Sequence, residues 1–239
     1  MKKILIKSIK ELEQYKQNPG SIQFYRGESR SYDTPMMSGI YRNADGLSIN
    51  ELQKRETEYL NVFKHKIASK EIKVQDPFSS NLKFHKEWFW LFQAQHLRHK
   101  TRLIDFTVDM NTALFFAVND SKDDEEEGHF WIFNCPKEIK VTSTNEAKLF
   151  NCKPLDVDKS YMINPVQYQS EEDFIGKRRM IRQMGRFFVQ SIEDGFTPVF
   201  KQEKFKDNFI HFEIDAKFKK TIREELAESC YSSGWIYND

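Results

Sequence analysis

The first residue along the chain that could bind an anion is Arg26, near the end of the alternating segment Ile22–Gly27. Side chains two residues apart share one face of a β-strand, so Ile22 and Phe24 are predicted to point inward with Arg26 beside them. A guanidinium on a buried face needs an anionic or carbonyl partner, because an unpaired buried charge is costly. Arg26 is therefore predicted either to bind a phosphate or carboxylate ligand or to hold the strand end through an internal ion pair. Gly27 permits a turn or a close backbone approach.

A second cluster of polar side chains lies in residues 95–107, between two segments rich in aromatic residues. Arg102 and Asp105 flank two apolar residues, and Thr107 or Asp109 is placed to cap the helix that follows. Two interpretations stay open. The segment is either a loop of hydrogen-bonding groups that faces a cleft, or a helix cap combined with a buried Arg–Asp ion pair.

A basic segment late in the chain carries Arg178, Arg182 and Arg186 at intervals of four residues. They would line one stripe of a helix for as far as the helix persists. Such a stripe could bind a nucleic-acid backbone, or it could be an ordinary solvated helix face. Gln183 lies where this helix is expected to end, just before Gly185.

The elements that must position these residues follow from apolar periodicity and from glycine and cap residues. Helices are predicted over residues 8–16, 50–68, 85–98, 109–119, 171–184 and 217–230, and strands over 22–27, 129–134, 186–192 and 209–214. Asn50 is a predicted N-cap, and the acidic run 123–127 is a predicted solvated loop. Because helices dominate the first half and strands the second, the pattern favours an α+β fold. In it, a helical N-terminal half packs on a mainly antiparallel sheet.

Composition excludes several classes of protein. The 239 residues carry 37 Lys+Arg against 36 Asp+Glu, so any nucleic-acid binding must come from a local patch. The length suits one domain over residues 1–239. Three cysteines and six histidines lack metal-ligand spacing, so neither a disulfide scaffold nor a metal site is expected. The apolar runs are too short to cross a membrane, and a cytoplasmic location is expected.

Taken in order, these segments resemble the FRG domain family, which is named for its Phe-Arg-Gly motif. The resemblance covers about residues 20–235. It rests on three motifs, which are Phe24-Tyr25-Arg26-Gly27, Gln95-His96 followed by Thr101-Arg102-Leu103-Ile104-Asp105-Phe106-Thr107, and Gln183-Met184-Gly185-Arg186-Phe187. In addition, Glu56 and Phe63 resemble the family's Glu-helix.

The resemblance also implies a distant similarity to ADP-ribosyltransferases, in many of which an aromatic-Arg-Gly strand holds the dinucleotide. On that basis the fold would be ADP-ribosyltransferase-like, and NAD would be the substrate. The protein would be a toxin or phage-defence effector that modifies a nucleic acid or a protein, with an antitoxin as a further partner. The catalytic candidates implied are Arg26, Arg102, Asp105 and Gln183. The candidates for binding the nucleotide are Tyr25, Arg26, Gly27, Gln95, His96, Thr101 and Thr107.

The late part of the chain lacks a carboxylate at the spacing that ADP-ribosyltransferases use. The enzymes usually carry it two residues after a Gln or Glu on a late strand, whereas Gln190 here is followed by Ser191-Ile192-Glu193. Asp105, Gln183 and Glu56 are the alternatives. Two other functions are therefore retained: a non-catalytic module that binds a nucleotide or nucleic acid, and a nuclease-like toxin that does not use NAD.

Overall fold

Strands from both ends of the chain meet in one mixed β-sheet. The computed structural model describes residues 3–16, 22–69, 86–143, 154, 159–164 and 182–237. The strands are β1 (Lys3–Ile6), β2 (Gln23–Glu28), β3 (Leu103–Thr107), β4 (Gly128–Asn134), β5 (Lys140–Ser143), β6 (Tyr161–Asn164), β7 (Gly185–Val189) and β8 (Phe209–Ile214). Their spatial order is β1-β8-β4-β2-β3-β7-β6-β5. Five of the seven strand pairings are antiparallel, which confirms the predicted α+β class.

The sheet is open near its middle. β2 pairs with β4 along its whole length, from Gln23 to Glu28, and β3 pairs with β7 from Leu103 to Thr107. β2 and β3 themselves are joined in register by the one pair Tyr25–Thr107 among the residues described. Beyond that pair the two strands separate, although both belong to the same eight-stranded sheet.

Five α-helices accompany the sheet in the described part of the chain. They are α1 (Ile49–Ala68), α2 (Lys86–His96), α3 (Met110–Val118), α4 (Ala216–Glu228) and α5 (Ser233–Ile236). α1 begins with a capping box in which the Ser48 hydroxyl accepts from the Glu51 N–H, so Ser48 is the N-cap and the prediction of Asn50 is wrong. Asp109 caps α3 as expected, by accepting from the Thr112 N–H. None of these helices combines the length and apolar character needed to cross a bilayer.

Two glycines allow α3 to lie directly on the strands. A Cβ atom on Gly27 would stand 1.8 Å from the Ala113 carbonyl oxygen, and one on Gly128 would stand 2.4 Å from that of Ala117. Both distances are far below van der Waals contact, so any side chain would push the helix away from the sheet. The close approach predicted at Gly27 is therefore made by α3.

Packing on both faces of the sheet explains where the predicted strand pattern fails. Phe24 is buried as expected, but Tyr25 is buried too, because α3 covers the other face. Ile22 is half-exposed and precedes β2, so the prediction that it points inward is wrong.

Residues 103–107 form β3 and not a loop. Within the acidic run, Asp123 is buried and accepts from the Ser29 hydroxyl, whereas residues 125–127 are exposed.

Other predicted elements are recovered with shifted ends. The first helix is a 3-10 helix over Ile9–Tyr15, and the remaining predicted helices outside residues 171–181 match α1 to α4 within two residues. β7 covers Gly185–Val189, in place of the predicted 186–192. β1, β5 and β6 are not predicted by the periodicity. Residues 171–181, most of the predicted basic helix, lie outside the described residues.

A buried histidine pair joins β4 to β8. His129 Nδ1 lies 3.0 Å from His211 Nε2, and the Trp131 ring stacks on the His211 ring with centroids 3.7 Å apart. Burial, with a smaller contribution from His129, lowers the pKa of His211 to about 4. In the folded protein His211 therefore stays neutral down to about pH 4, whereas the same histidine in the unfolded chain binds a proton near pH 6.5.

This pair predicts a loss of stability in mild acid. Between about pH 6.5 and pH 4 the unfolded chain binds the proton and the folded chain does not, so the free energy of unfolding falls as pH falls, by up to about 3 kcal/mol. Urea unfolding at pH 7 and pH 5 measures this change. His211→Gln is expected to reduce the pH dependence, and replacement of the exposed His65 by Gln is expected to leave it unchanged. An equal slope in both variants would contradict the prediction.

Candidate functional site

A cavity of about 700 Å³ lies where β2 and β3 separate. Residues from β2, β3 and β7 line it, together with the end of α2, one side of α3 and the C-terminal segment. The site candidates that line it are Tyr25, Arg26, Gly27, Gln95, His96, Asp105, Thr107, Gln183 and Arg186. Most of the residues that the sequence assigned to a site are therefore brought to one place.

Arg26 spans the opening between the two strands. Its Nη1 donates to the main-chain carbonyl of Asp105 on β3 at 2.7 Å, and its Nε donates to Glu28 Oε1 at 3.2 Å. The side chain is 18% exposed, and Nη2 makes no hydrogen bond to any described residue. The predicted internal ion pair of Arg26 is therefore present, with Glu28 as its acid. Arg26 also lines the cavity, and the binding of a phosphate or carboxylate ligand by its guanidinium stays a prediction.

Glu28 is the acid that fixes Arg26, and it is buried beside it. Its second carboxylate oxygen accepts from Trp131 Nε1 at 3.3 Å. Arg26 and Glu28 are two residues apart on β2, so they share a face of the strand. The indole holds the carboxylate and the carboxylate orients the guanidinium, which restricts Arg26 to one position.

Three further arginines line the cavity. Arg42 donates from Nε to the Met37 carbonyl, and Arg186 donates from Nη1 to the main-chain carbonyls of Met184 and Gly185. Burial lowers the pKa of both, although an arginine stays protonated at any physiological pH. Arg98 is exposed at the rim. These four cations and the carboxylates of Glu28, Asp105 and Asp120 line the cavity together, which leaves one positive charge in excess and favours an anionic ligand.

A chain of hydrogen bonds orients Asp105. The Thr101 hydroxyl donates to Gln95 Oε1 and accepts from the Leu103 N–H, which fixes the Gln95 amide. Gln95 Nε2 then donates to Asp105 Oδ2 at 2.8 Å. Thr101 is itself buried and does not line the cavity, so the expectation that it contacts the ligand is corrected: it positions Gln95.

Thr107 and Gln183 close one end of the cavity. The Thr107 hydroxyl donates to the Gln183 carbonyl at 2.6 Å and accepts from the Asp109 N–H at 3.0 Å. The Gln183 side-chain amide donates to the Ile236 carbonyl at 3.4 Å. Gln183 thus lines the cavity, but its amide N–H joins the β7 turn to the C-terminal segment.

Arg102 lies outside the cavity. It is completely buried, and its Nε and Nη2 bind the Glu56 carboxylate on α1 at 2.7–3.0 Å. The predicted buried ion pair therefore exists, with Glu56 as the acid in place of Asp105. This geometry corrects the expectation that Arg102 lines a cleft, and Glu56, which is paired with it, does not line the cavity either.

The predicted basic stripe is not formed by the residues described. Arg178 lies outside them. Arg182 donates to the Trp235 carbonyl at 3.3 Å, and Arg186 belongs to β7. Between them Met184 has a φ of +46°, which ends any helix before Arg186. The i, i+4, i+8 relation therefore fails for Arg186, which faces the cavity.

Several lining residues were not assigned to a site from the sequence: Glu28, Tyr32, Arg42, Arg98, Phe116, Asp120, Phe187 and Tyr237. Glu28 could have been assigned to the site from the sequence, because side chains two residues apart on a strand share a face and Glu28 follows Arg26 at that spacing. The others are brought to the cavity by tertiary packing, for which no local pattern exists. Among the described residues, no three His, Cys, Asp or Glu side chains stand together as a metal site would require.

The matched region of the chain coincides with the core of this site. The family model of the FRG domain matches residues 21–126, which run from the start of β2 past the end of α3. That segment supplies Arg26, Gln95 and Asp105. Searches of curated proteins and of solved structures return no match to the chain.

Proposed function

Because the chain carries an FRG domain, we propose that the cavity between β2 and β3 binds NAD, from which the protein transfers ADP-ribose to a nucleic acid or a protein. One observation carries the proposal. A guanidinium whose Nη2 bonds to no described residue, a carboxylate that accepts from Gln95 and several aromatic side chains line the same cavity.

The lining matches the chemical groups of a dinucleotide. NAD carries two phosphate charges, and the arginines from four different segments supply complementary charge and hydrogen-bond donors. Its two flat rings require apolar or aromatic walls, which Phe116, Phe187 and Tyr237 provide. A volume of about 700 Å³ lies within the usual range of small-molecule sites.

Asp105 is the group that we assign to the chemical step. The bond between nicotinamide and C1′ of the ribose breaks, and its electron pair leaves with the neutral nicotinamide. The sugar then carries the positive charge of an oxocarbenium-like state, which a nearby carboxylate stabilises. A nucleophile of the target forms the new bond to C1′ and loses its proton to the solvent. Asp105 fits this role because Glu56 is paired with Arg102 outside the cavity.

A toxic activity follows from this chemistry. A transferase that consumes NAD or modifies an essential target harms the cell that expresses it. The proposal therefore includes a cytoplasmic toxin or phage-defence effector, held in check by an antitoxin until it is needed.

The proposal is tested on Arg26. Wild-type protein is expected to release nicotinamide from NAD and to transfer labelled ADP-ribose to a component of a cell extract. Loss of the Nη2 edge should weaken NAD binding at least tenfold, because a charge-assisted hydrogen bond contributes about 1.5–3 kcal/mol. Titration calorimetry on Arg26→Ala measures this loss. Arg26→Lys is the second variant, since it keeps a positive charge beside the buried Glu28 while removing the planar fork.

Arg182→Ala is the matched control, since Arg182 is a neighbouring arginine that does not line the cavity. It should bind NAD like the wild type. Equal affinities in all four proteins, or no binding by any of them, would contradict the proposal.

A second candidate function is a nucleotide-binding module without catalysis. It is favoured by the late strand β7, which contributes Gly185, Arg186 and Phe187 to the cavity but no carboxylate. Gln190, just after β7, is buried, and its side chain bonds to Ser38 N and to two main-chain carbonyls. Binding of NAD with no release of nicotinamide would support this second function.

A further inference from the structure

The end of α2 has a backbone conformation that is unusual for the residue it holds. The His99 N–H donates to the Ala94 carbonyl at 2.8 Å, and the Arg98 N–H donates to the Gln95 carbonyl at 3.0 Å. These two bonds define a Schellman motif, whose turning residue adopts a left-handed conformation. Arg98 is that residue, with a φ of +62°. Glycine is normally selected at this position because a Cβ atom strains it.

The Arg98 side chain differs from the other arginines of the cavity. Arg26, Arg42 and Arg186 each donate to a carbonyl or carboxylate. The Arg98 guanidinium lines the cavity and makes no hydrogen bond or ion pair with any residue that the structure describes. All of its donors are therefore available to a ligand.

We infer that Arg98 is a specificity residue that binds a phosphate of the ligand and selects a diphosphate over a monophosphate. The inference rests on the proposed function. A left-handed conformation by itself marks no binding site, since Cys230 shares it away from the cavity; the exposed guanidinium at the cavity, with no partner among the described residues, is what points to a ligand. Arg26 is held rigidly and can bind one phosphate, whereas the exposed Arg98 can reach a second phosphate, as the pyrophosphate of a dinucleotide requires.

Replacing Arg98 by glycine separates the structural role of this position from its binding role. Arg98→Gly relieves the left-handed strain, so the melting temperature should rise by about 2–4 °C. The same change removes the free guanidinium. Affinity for ADP-ribose and for ADP should therefore fall about tenfold or more, while affinity for AMP should change by less than about threefold. A merely structural residue would give the rise in stability and no loss of affinity.

The chain contains a matched control in the same motif. At the end of α4, the Tyr231 N–H donates to Leu226 and the Cys230 N–H to Ala227, and Cys230 has a φ of +67°. Cys230 does not line the cavity. Cys230→Gly should therefore raise the melting temperature by a similar amount and leave all three affinities unchanged.

Calorimetric titration of ADP-ribose, ADP and AMP into the wild type and both variants tests the inference. Selective loss of diphosphate affinity in Arg98→Gly supports it. If the wild type binds ADP-ribose and Arg98→Gly binds it equally well, the assignment of Arg98 is overturned while the proposed function stands. If Arg98→Gly lowers the affinity for AMP as much as the affinity for ADP, the proposed selection of a diphosphate is overturned. If the wild type binds none of the three probes, the proposed function fails and this inference fails with it.

Discussion

Replacement of Arg102 by leucine is expected to lower the free energy of unfolding by about 3–5 kcal/mol. The Glu56 carboxylate would then be buried with no cation, and an uncompensated buried charge costs about that much. Both side chains are almost completely inaccessible, and three N–O contacts of 2.7–3.0 Å join them. Urea unfolding followed by circular dichroism measures the loss.

The double variant Arg102→Leu/Glu56→Leu distinguishes a paired charge from a general loss of packing. Because both charges are removed together, it should recover much of the stability that the single variant loses. Glu56→Gln alone should resemble Arg102→Leu, since it leaves the guanidinium without an anionic partner. A fully stable Arg102→Leu protein that had lost NAD binding would contradict the structural role of the pair.

The polar residues of segment 95–107 therefore divide into two groups. Arg102 joins the strand to α1, while Gln95 and Asp105 line the cavity. Arg102 and Asp105 are three residues apart, and an odd separation along an extended chain directs two side chains to opposite faces. The sequence analysis predicted a loop here and not a strand. It therefore placed both side chains in one cleft, without the alternation of side chains that a β-strand imposes.

The helices could be predicted because their signals are local. α1 and α4 carry apolar residues at helical spacing, and the cap at Asp109 marks the start of α3. β3 has the sequence Leu-Ile-Asp-Phe-Thr, which has no clean alternation because both of its faces are packed. β1, β5 and β6 have four residues each, and pairing with neighbours determines them.

The candidate site could be predicted in its parts but not in its shape. Arg26 was identified because a cation on an apolar strand face needs a partner. The cavity itself exists because β2 and β3 share one pair and then separate. The register between strands that are distant in the chain cannot be predicted from the sequence of either strand alone. For the same reason Tyr237, more than 200 residues from Arg26 in the numbering, was not identified.

Asp105→Asn is expected to reduce the rate of nicotinamide release by about 10²–10³-fold, the loss typical of removing one group that stabilises transition-state charge. The change is nearly isosteric, and asparagine Oδ1 can still accept the hydrogen bond from Gln95 Nε2. NAD affinity should therefore stay within about threefold of the wild type, because the substrate carries no oxocarbenium charge before the bond breaks. Single-turnover kinetics at saturating NAD measures the chemical step. Asp120→Asn removes another carboxylate of the cavity and should leave the rate near that of the wild type. A large loss of rate in Asp120→Asn together with full activity in Asp105→Asn would assign the catalytic role to Asp120 in place of Asp105.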